Sequence, residues 1–245
     1  MKGIKTLAVV LCTSLTLMGC NGQGGLSNLG KGALIGSGGG AAAGAGIGAL
    51  IGLLTGNAGK GAAIGAAVGL AAGGTAGTLI GNKMDKAAKK AAELEGAQAQ
   101  LLEDANGIKY VKVTFDGGIL FATGKSDLTA TAKSSLNSFV SNALTSDMNV
   151  AIVGYTDNAG FKGYTAAQSV EKNKVLSQER AQSVSKYLTQ CGANAAQIVQ
   201  VAGMGQENPV ADNSTAAGKA LNRRVEVFMI PSEEMIKAAN AGTLK

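Results

Sequence analysis

The chain of 245 residues contains no histidine. Ser-His-Asp and Cys-His catalysis are therefore excluded, and so is histidine-ligated zinc. Aromatic residues are scarce at 4%, against 46% hydrophobic residues in all, while glycine numbers 37. Such a chain is apolar without much bulky core material, and its first half must account for the excess. Three cysteines, Cys12, Cys20 and Cys191, are spaced as in no metal site, so neither metal nor cofactor is expected. The formal net charge is +6, but the basic residues are scattered without aromatic interleaving, which argues against nucleic acid as a partner.

What is present begins with MKGIKTLAVVLCTSLTLMGC. Lys2 and Lys5 make a basic start, and Leu7 to Met18 an apolar core too short for a stable span, the pattern of a secretory signal over residues 1–19. Its end, Leu17-Met18-Gly19-Cys20, resembles a bacterial lipobox. That resemblance implies cleavage before Cys20 and lipidation there, with acyl chains such as palmitate each contributing about 0.8 kcal/mol per buried CH₂. Asn21, where an Asp would favour the inner membrane, points to the outer membrane. Cleavage removes Cys12, Lys2 and Lys5 and lowers the net charge from +6 to +4.

Residues 20–31 read as a lipidated flexible tether. Residues 32–81 hold two four-residue glycine registers, Gly32 to Gly56 and Gly61 to Gly81, separated by Asn57-Ala58-Gly59-Lys60. Such spacing puts a smooth strip on one helix face, so that two backbones approach closely. The pieces would be roughly 36 and 30 Å long, about the apolar thickness of a bilayer. The expectation is a helical hairpin, membrane-inserted and able to form a homo-oligomer, and the block resembles a glycine zipper. A low-complexity spacer is the competing reading. Gly36 to Ala41 superficially fits a dinucleotide fingerprint, but no strand precedes it. Residues 82–106 turn abruptly charged and Ala-rich. They read as a helical linker whose less polar face carries Met84, Ala88, Ala91 and Leu94.

A globular domain is expected over 107–231. Tyr110 to Phe115 alternates as a half-buried strand, and Ile119-Leu120-Phe121 opens a second apolar run. Leu128, Leu136, Phe139, Val140 and Ala143 mark an amphipathic helix. Gly124-Lys125-Ser126 lacks the upstream glycine of a phosphate loop. Met148 to Tyr155 reads as a buried strand that delivers Thr156 and Asp157 at its carboxyl end. Ser177 reads as the N-cap of a helix burying Ala181, Val184, Leu188 and Cys191, with Gly192 ending it. That start would set Arg180 beside free backbone N–H groups, a receptor for a carboxylate, with Asp157 able to hold an ammonium. Taken singly, Asp157 also suits a turn former and Arg180 a solvated helix charge. Cys191 reads as core filler or, failing that, as an intermolecular disulfide. Ile198 to Ala202 and Asn222 to Ile230 are further strands. Residues 232–245 form a terminal helix and tail capped by Ser232.

Gly154-Tyr155-Thr156-Asp157, Asn173, Leu176-Ser177, Arg180-Ala181, Gly203 and Asn222-Arg223-Arg224-Val225 together resemble the OmpA-like peptidoglycan-binding domain. The resemblance covers about the second half of the chain. It implies an α/β (α+β) sandwich with two main helices on a small mixed sheet. It also implies that Asp157 and Arg180 grip the ammonium and carboxylate of a diaminopimelate stem peptide. Thr156 and Asn173 become supporting polar contacts. Arg224 follows the family's second arginine, with shaping of the pocket and a structural ion pair both open. One departure is the run from Phe161 to Lys172, longer than the family's usual spacing.

The function expected is that of an outer-membrane lipoprotein binding peptidoglycan noncovalently, its C-terminal domain in the periplasm, and not that of an enzyme. Glu171 and Glu179 lack the nucleophile or metal site that acid–base work beside Asp157 would need. The alternative is a glycine-zipper oligomer or pore for which the domain is a passive anchor.

Overall fold

The computed structural model describes residues 74–104 and 107–244. The signal segment, Cys20, the tether and all of the glycine registers up to Gly73 lie outside the described residues. The chain runs α1 (Gly74–Ala92), β1 (Ala97–Glu103), β2 (Lys109–Asp116), a single turn α2 (Gly117–Leu120) and α3 (Ala130–Ser138). It continues through β3 (Met148–Gly154), α4 (Ala166–Gln190), β4 (Ile198–Gly203), α5 (Ala216–Asn222), β5 (Arg224–Pro231) and α6 (Glu233–Asn240). The five strands form one mixed sheet in the order β1-β2-β5-β3-β4, parallel between β3 and β4 and antiparallel elsewhere. Helix α1 packs on β1 and β2, α4 packs on β3 and β4, and α3 with its continuation spans between them. This is the expected two-layer sandwich, to which α1, the single turn α2 and the short helix α5 are additions.

Helix α1 corrects the linker. Residues 82–106 are no spacer: α1 buries Ala76, Ile80, Met84, Ala87 and Ala91 against the sheet. The alanines keep that face thin enough for close approach, and Lys83 and Asp85 pair with Asp147 and Lys109 of the domain. Gly96, at φ 71°, turns the chain back, and β1 then pairs with β2 from Ala97↔Phe115 to Glu103↔Lys109. Alanine, glutamine and leucine favour helices locally, but the unpaired backbone groups of β2 demand a partner strand, and tertiary pairing wins. The globular unit therefore takes in Gly77 and Gly81, the last two glycines of the second register.

Elsewhere the elements follow the sequence more closely. Thr129 caps α3, which widens into a π turn over Phe139–Ala143 and buries Leu136, Phe139 and Ala143. Phe139 meets Phe115 edge-on at 6.0 Å, and Phe121 is buried as expected. Ser232 caps α6, whose Met235, Ile236 and Ala239 are buried with α1 as neighbour, so the terminal segment is part of the core. Among the described residues no helix is long and apolar enough to cross a membrane.

Candidate functional site

Two glycines set the site's position. Gly154 and Gly203 lie side by side at the carboxyl ends of the parallel pair β3–β4. A Cβ on Gly154 would stand 2.2 Å from the Ser177 carbonyl oxygen, and one on Gly203 would stand 2.2 Å from the Gln178 nitrogen. No side chain fits there, so α4 lies with its backbone directly on the strand ends. The face it lays down is polar at first, with Ser169, Asn173, Ser177 and Arg180, and apolar afterwards, with Ala181, Val184 and Leu188.

This geometry overturns the expected helix start. Helix α4 begins at Ala166, where Thr165 and Gln168 form a capping box. Ser177 sits in mid-helix, its hydroxyl donating to the Lys174 carbonyl and accepting from Gly205 N–H, both at 2.8 Å. Arg180 is thus four turns inside the helix, where backbone N–H groups are already bonded, and the helix dipole contributes nothing to it. The long run from Phe161 to Lys172 is a short loop followed by the first two turns of α4.

Asp157, Thr156, Asn173 and Arg180 do come together at the strand ends, and all are buried. Asn173 donates from Nδ2 to the Ala159 carbonyl at 3.1 Å and so holds the Asp157–Ala159 turn. Asp157 also accepts from Ala159 N–H at 3.0 Å, so its turn-forming role is real as well. Thr156 hangs from Gly205 by its backbone, while its enclosed hydroxyl oxygen makes no hydrogen bond. Arg180 is 4% exposed. Its Nε donates to the Lys125 carbonyl at 3.0 Å, and the guanidinium lies 5.0 Å from the Phe121 ring centre. No carboxylate pairs with it, and its two terminal nitrogens make no hydrogen bond among the described residues. Burial, then the like charge of Arg223, push its pKa below the usual arginine value, with Asp157 opposing.

The sequence reading missed Arg223. Its Nη1 bonds Asp157 Oδ2 at 2.6 Å, so the carboxylate expected to await an ammonium already holds a guanidinium. Arg224 is the matching correction. Its Nε bonds Glu226 at 2.8 Å, its terminal nitrogens reach the carbonyls of Asn222 and Asn208, and its guanidinium stacks 3.8 Å from the Tyr155 ring centre. It is a structural ion pair and has no hand free for a ligand. The strand expected from Asn222 begins only at Arg224: Asn222 is the last residue of α5 and Arg223 its C-cap, so the two adjacent arginines belong to different elements and Arg223 is the one that reaches Asp157. Asn222, also unassigned from sequence, is fully buried and ties down the 210–213 loop through Val210, Ala211 and Asn213. Cys191 is another departure: it caps α4, half-buried, and is a free thiol outside the core. No cluster of acidic or cysteine side chains suited to a metal occurs among the described residues.

The centre therefore sets one carboxylate against two guanidiniums, one of them buried and unpaired. Residues 120–223 match the OmpA family and residues 39–88 match a glycine zipper. The chain is 36% identical over 116 residues to the outer-membrane lipoprotein YfiB of Pseudomonas aeruginosa, covering 47% of this chain and 63% of that protein. It is 43% identical over 83 residues to the peptidoglycan-binding protein ArfA of Mycobacterium bovis, covering 34% of this chain and 23% of that protein. The match thus spans less than two thirds of either relative. In fold, a crystal structure of a MotB-like protein from Desulfovibrio vulgaris superposes with a TM-score of 0.50 at 21% identity, over 63% of this chain and 94% of that one. By these comparisons residues 120–223 of this chain are similar to the OmpA family, and residues 39–88 to a glycine zipper.

Proposed function

We propose that this protein is an outer-membrane lipoprotein whose C-terminal domain binds peptidoglycan noncovalently and so ties membrane to wall. The observation that carries the reading is Arg180. A buried guanidinium without a carboxylate partner costs free energy, and an incoming carboxylate removes that cost and the repulsion from Arg223 together. The ligand is a stem peptide with a diaminopimelate-type residue, whose carboxylate pairs with Arg180 and whose ammonium takes a share of Asp157. Thr156, with its spare hydroxyl, and Asn173, through the Asp157–Ala159 turn, support the contact. Arg223 yields Asp157 in part and adds its charge to the carboxylate side. The names of the two relatives, one a lipoprotein of the outer membrane and one a peptidoglycan binder, agree with this reading. Lipidation at Cys20 supplies the membrane end, leaving the domain in the periplasm. No reaction is part of the proposal.

The test is sedimentation of the full-length protein, in detergent, with purified cell-wall sacculi, beside Asp157→Asn and Arg180→Lys. Loss of either partner should weaken binding by about 1–3 kcal/mol, roughly 5- to 160-fold. A single cooperative thermal transition, showing that each variant still folds, must accompany the loss, and free diaminopimelate should compete. If both variants sediment like the parent protein, the contact is nonspecific charge attraction and the site assignment fails. Cys20→Ser should abolish acylation, read as the mass of the mature amino terminus.

The glycine-zipper match favours a second role, a homo-oligomeric membrane assembly for which the domain is the anchor. Crosslinking in membranes would show ladders that persist in Arg180→Lys if assembly is independent of wall binding, and no ladders if the zipper does not self-associate.

A further inference from the structure

The two outer strands of the sheet are guarded differently. At one edge β4 has no exposed residue, and the Gln178 amide of α4 donates to the Val201 carbonyl. At the other edge β1 pairs with β2 and, on its outer side, with no described strand. Four of its seven residues are exposed, Leu101 among them at 38%. An open edge is a template for a further strand, and proteins blunt it with proline, a bulge, a lysine or a very short strand. None of these devices is present in β1. It is seven residues long, keeps an unbroken register against β2, and carries a single charge at its last position, Glu103. Helix α1 packs on β1 and β2 together, across the face of the sheet.

We propose that β1 is a docking edge for a second copy of this chain. The two β1 strands pair antiparallel about a two-fold axis at Gln100 and join two five-stranded sheets into one of ten strands. The inference draws on the glycine-zipper role above for local concentration and is independent of wall binding. What selects a second copy is that AQAQLLE complements itself in this register. Gln100 meets its own counterpart, amide to amide, and Ala99 meets Leu101, small against large. Gln98 meets Leu102 and Ala97 meets Glu103, so no like charges stand opposite each other. Ala99 and Leu101 lie in register with the buried Val113 and Val111 of β2, so their contact carries that apolar row across the axis. The chain also brings copies together at this point. The glycine-zipper match covers residues 39–88 and so runs into α1, which ends five positions before β1 begins. Copies gathered by the zipper would meet at an effective concentration of about a millimolar. That matters because one strand pair buries less than the roughly 1,200–2,000 Å² of a stable interface, so the contact is weak in dilute solution and forms where copies are gathered. Seven strand spacings of about 4.8 Å would then separate the two copies of β3, and two Arg180 centres roughly 35 Å apart could grip the wall at two points.

The experiment is disulfide trapping in the full-length protein, reconstituted in phospholipid vesicles and measured against a Cys191→Ser background. Cα atoms directly opposite in an antiparallel pair are about 4.5–5.5 Å apart, within reach of a disulfide, whereas position 98 would sit about 14 Å from its counterpart. Under mild oxidation Gln100→Cys should give a covalent dimer, and Gln98→Cys about tenfold less. Copies carrying Gln98→Cys mixed with copies carrying Leu102→Cys should form a mixed disulfide. Adding Gln100→Glu to both copies should cut that product about fivefold, because two carboxylates then face each other across the axis while each still faces Lys112 in its own chain. No excess of the Gln100→Cys dimer over that of Gln98→Cys overturns the proposal, and so does a mixed disulfide indifferent to Gln100→Glu. If zipper crosslinks form while Gln100→Cys stays monomeric, the zipper role stands and the docking edge falls. If neither product forms, both fall.

Discussion

Arg180 and Arg224 are both buried arginines, yet their surroundings assign them opposite tasks. Arg224 has a carboxylate, two carbonyls and a tyrosine ring, so its charge is neutralised inside the fold. Arg224→Ala strands Glu226 in a buried position and is expected to cost about 3–5 kcal/mol of stability. The double substitution Arg224→Met with Glu226→Leu should recover most of that loss, measured by denaturant unfolding. Arg180→Met should by contrast leave stability nearly unchanged or raised, since it removes an unpaired buried charge, while wall binding is lost. The two glycines under α4 make a third case. Gly154→Ala or Gly203→Ala drives a methyl group into the backbone of Ser177–Gln178, so each should destabilise by about 1–3 kcal/mol, read as a lowered Tm. At this scale Asp157 and Arg180 were legible because strand end and motif agreed. Arg223 was not, because it stands between the end of α5 and the start of β5, and the position of that boundary sets which of the two arginines meets Asp157.

At the scale of the element, α1 and β1 are the instructive pair. Ala97–Glu103 has the composition of a helix and the position of an edge strand. Its conformation follows from the open side of β2 and from Gly96, which no local scale weighs together. A fragment beginning at Gly107 lacks both elements and uncovers Ile108, Tyr110 and Val111 along β2. It is expected to aggregate or to unfold without a cooperative transition, whereas a fragment beginning at Gly74 should unfold in one step. Calorimetry of the two fragments decides between a linker and an integral layer. The start of α4 teaches a related lesson. Ser177 has the character of an N-cap, but Thr165 with Gln168 is the pair that closes a capping box, and the long polar run between them is helical.

For the whole molecule, stability should fall at both ends of the pH scale. Burial, then the negative charge of Asp104, raise the Tyr110 pKa to about 12, and burial with Glu226 nearby holds Tyr155 well above its ordinary value. A raised folded pKa contributes stability that is complete below the unfolded value near 10 and is lost as pH climbs toward 12. Asp147 runs the other way. Burial alone would raise it, but hydrogen bonds from Lys83 and Thr145 lower it overall, so its contribution is present at neutral pH and fades as pH drops below about 4. Urea midpoints measured against pH should therefore fall above pH 10, less steeply in Tyr110→Phe, and fall in acid, less steeply in Asp147→Asn.

By itself the sequence determined the signal-like start, the two glycine registers, the buried strand ending in Thr156-Asp157 and the residue types that meet at its end. These depend on local composition, on period and on motifs read along the chain. The tertiary structure alone decided where the domain begins, that Ala97–Glu103 is a strand, that Arg223 and not Arg224 faces Asp157, and that Arg180 is buried without a carboxylate. Each of those depends on which backbone edge or charge lies nearby across the fold, and proximity of that kind arises only when distant segments pack together.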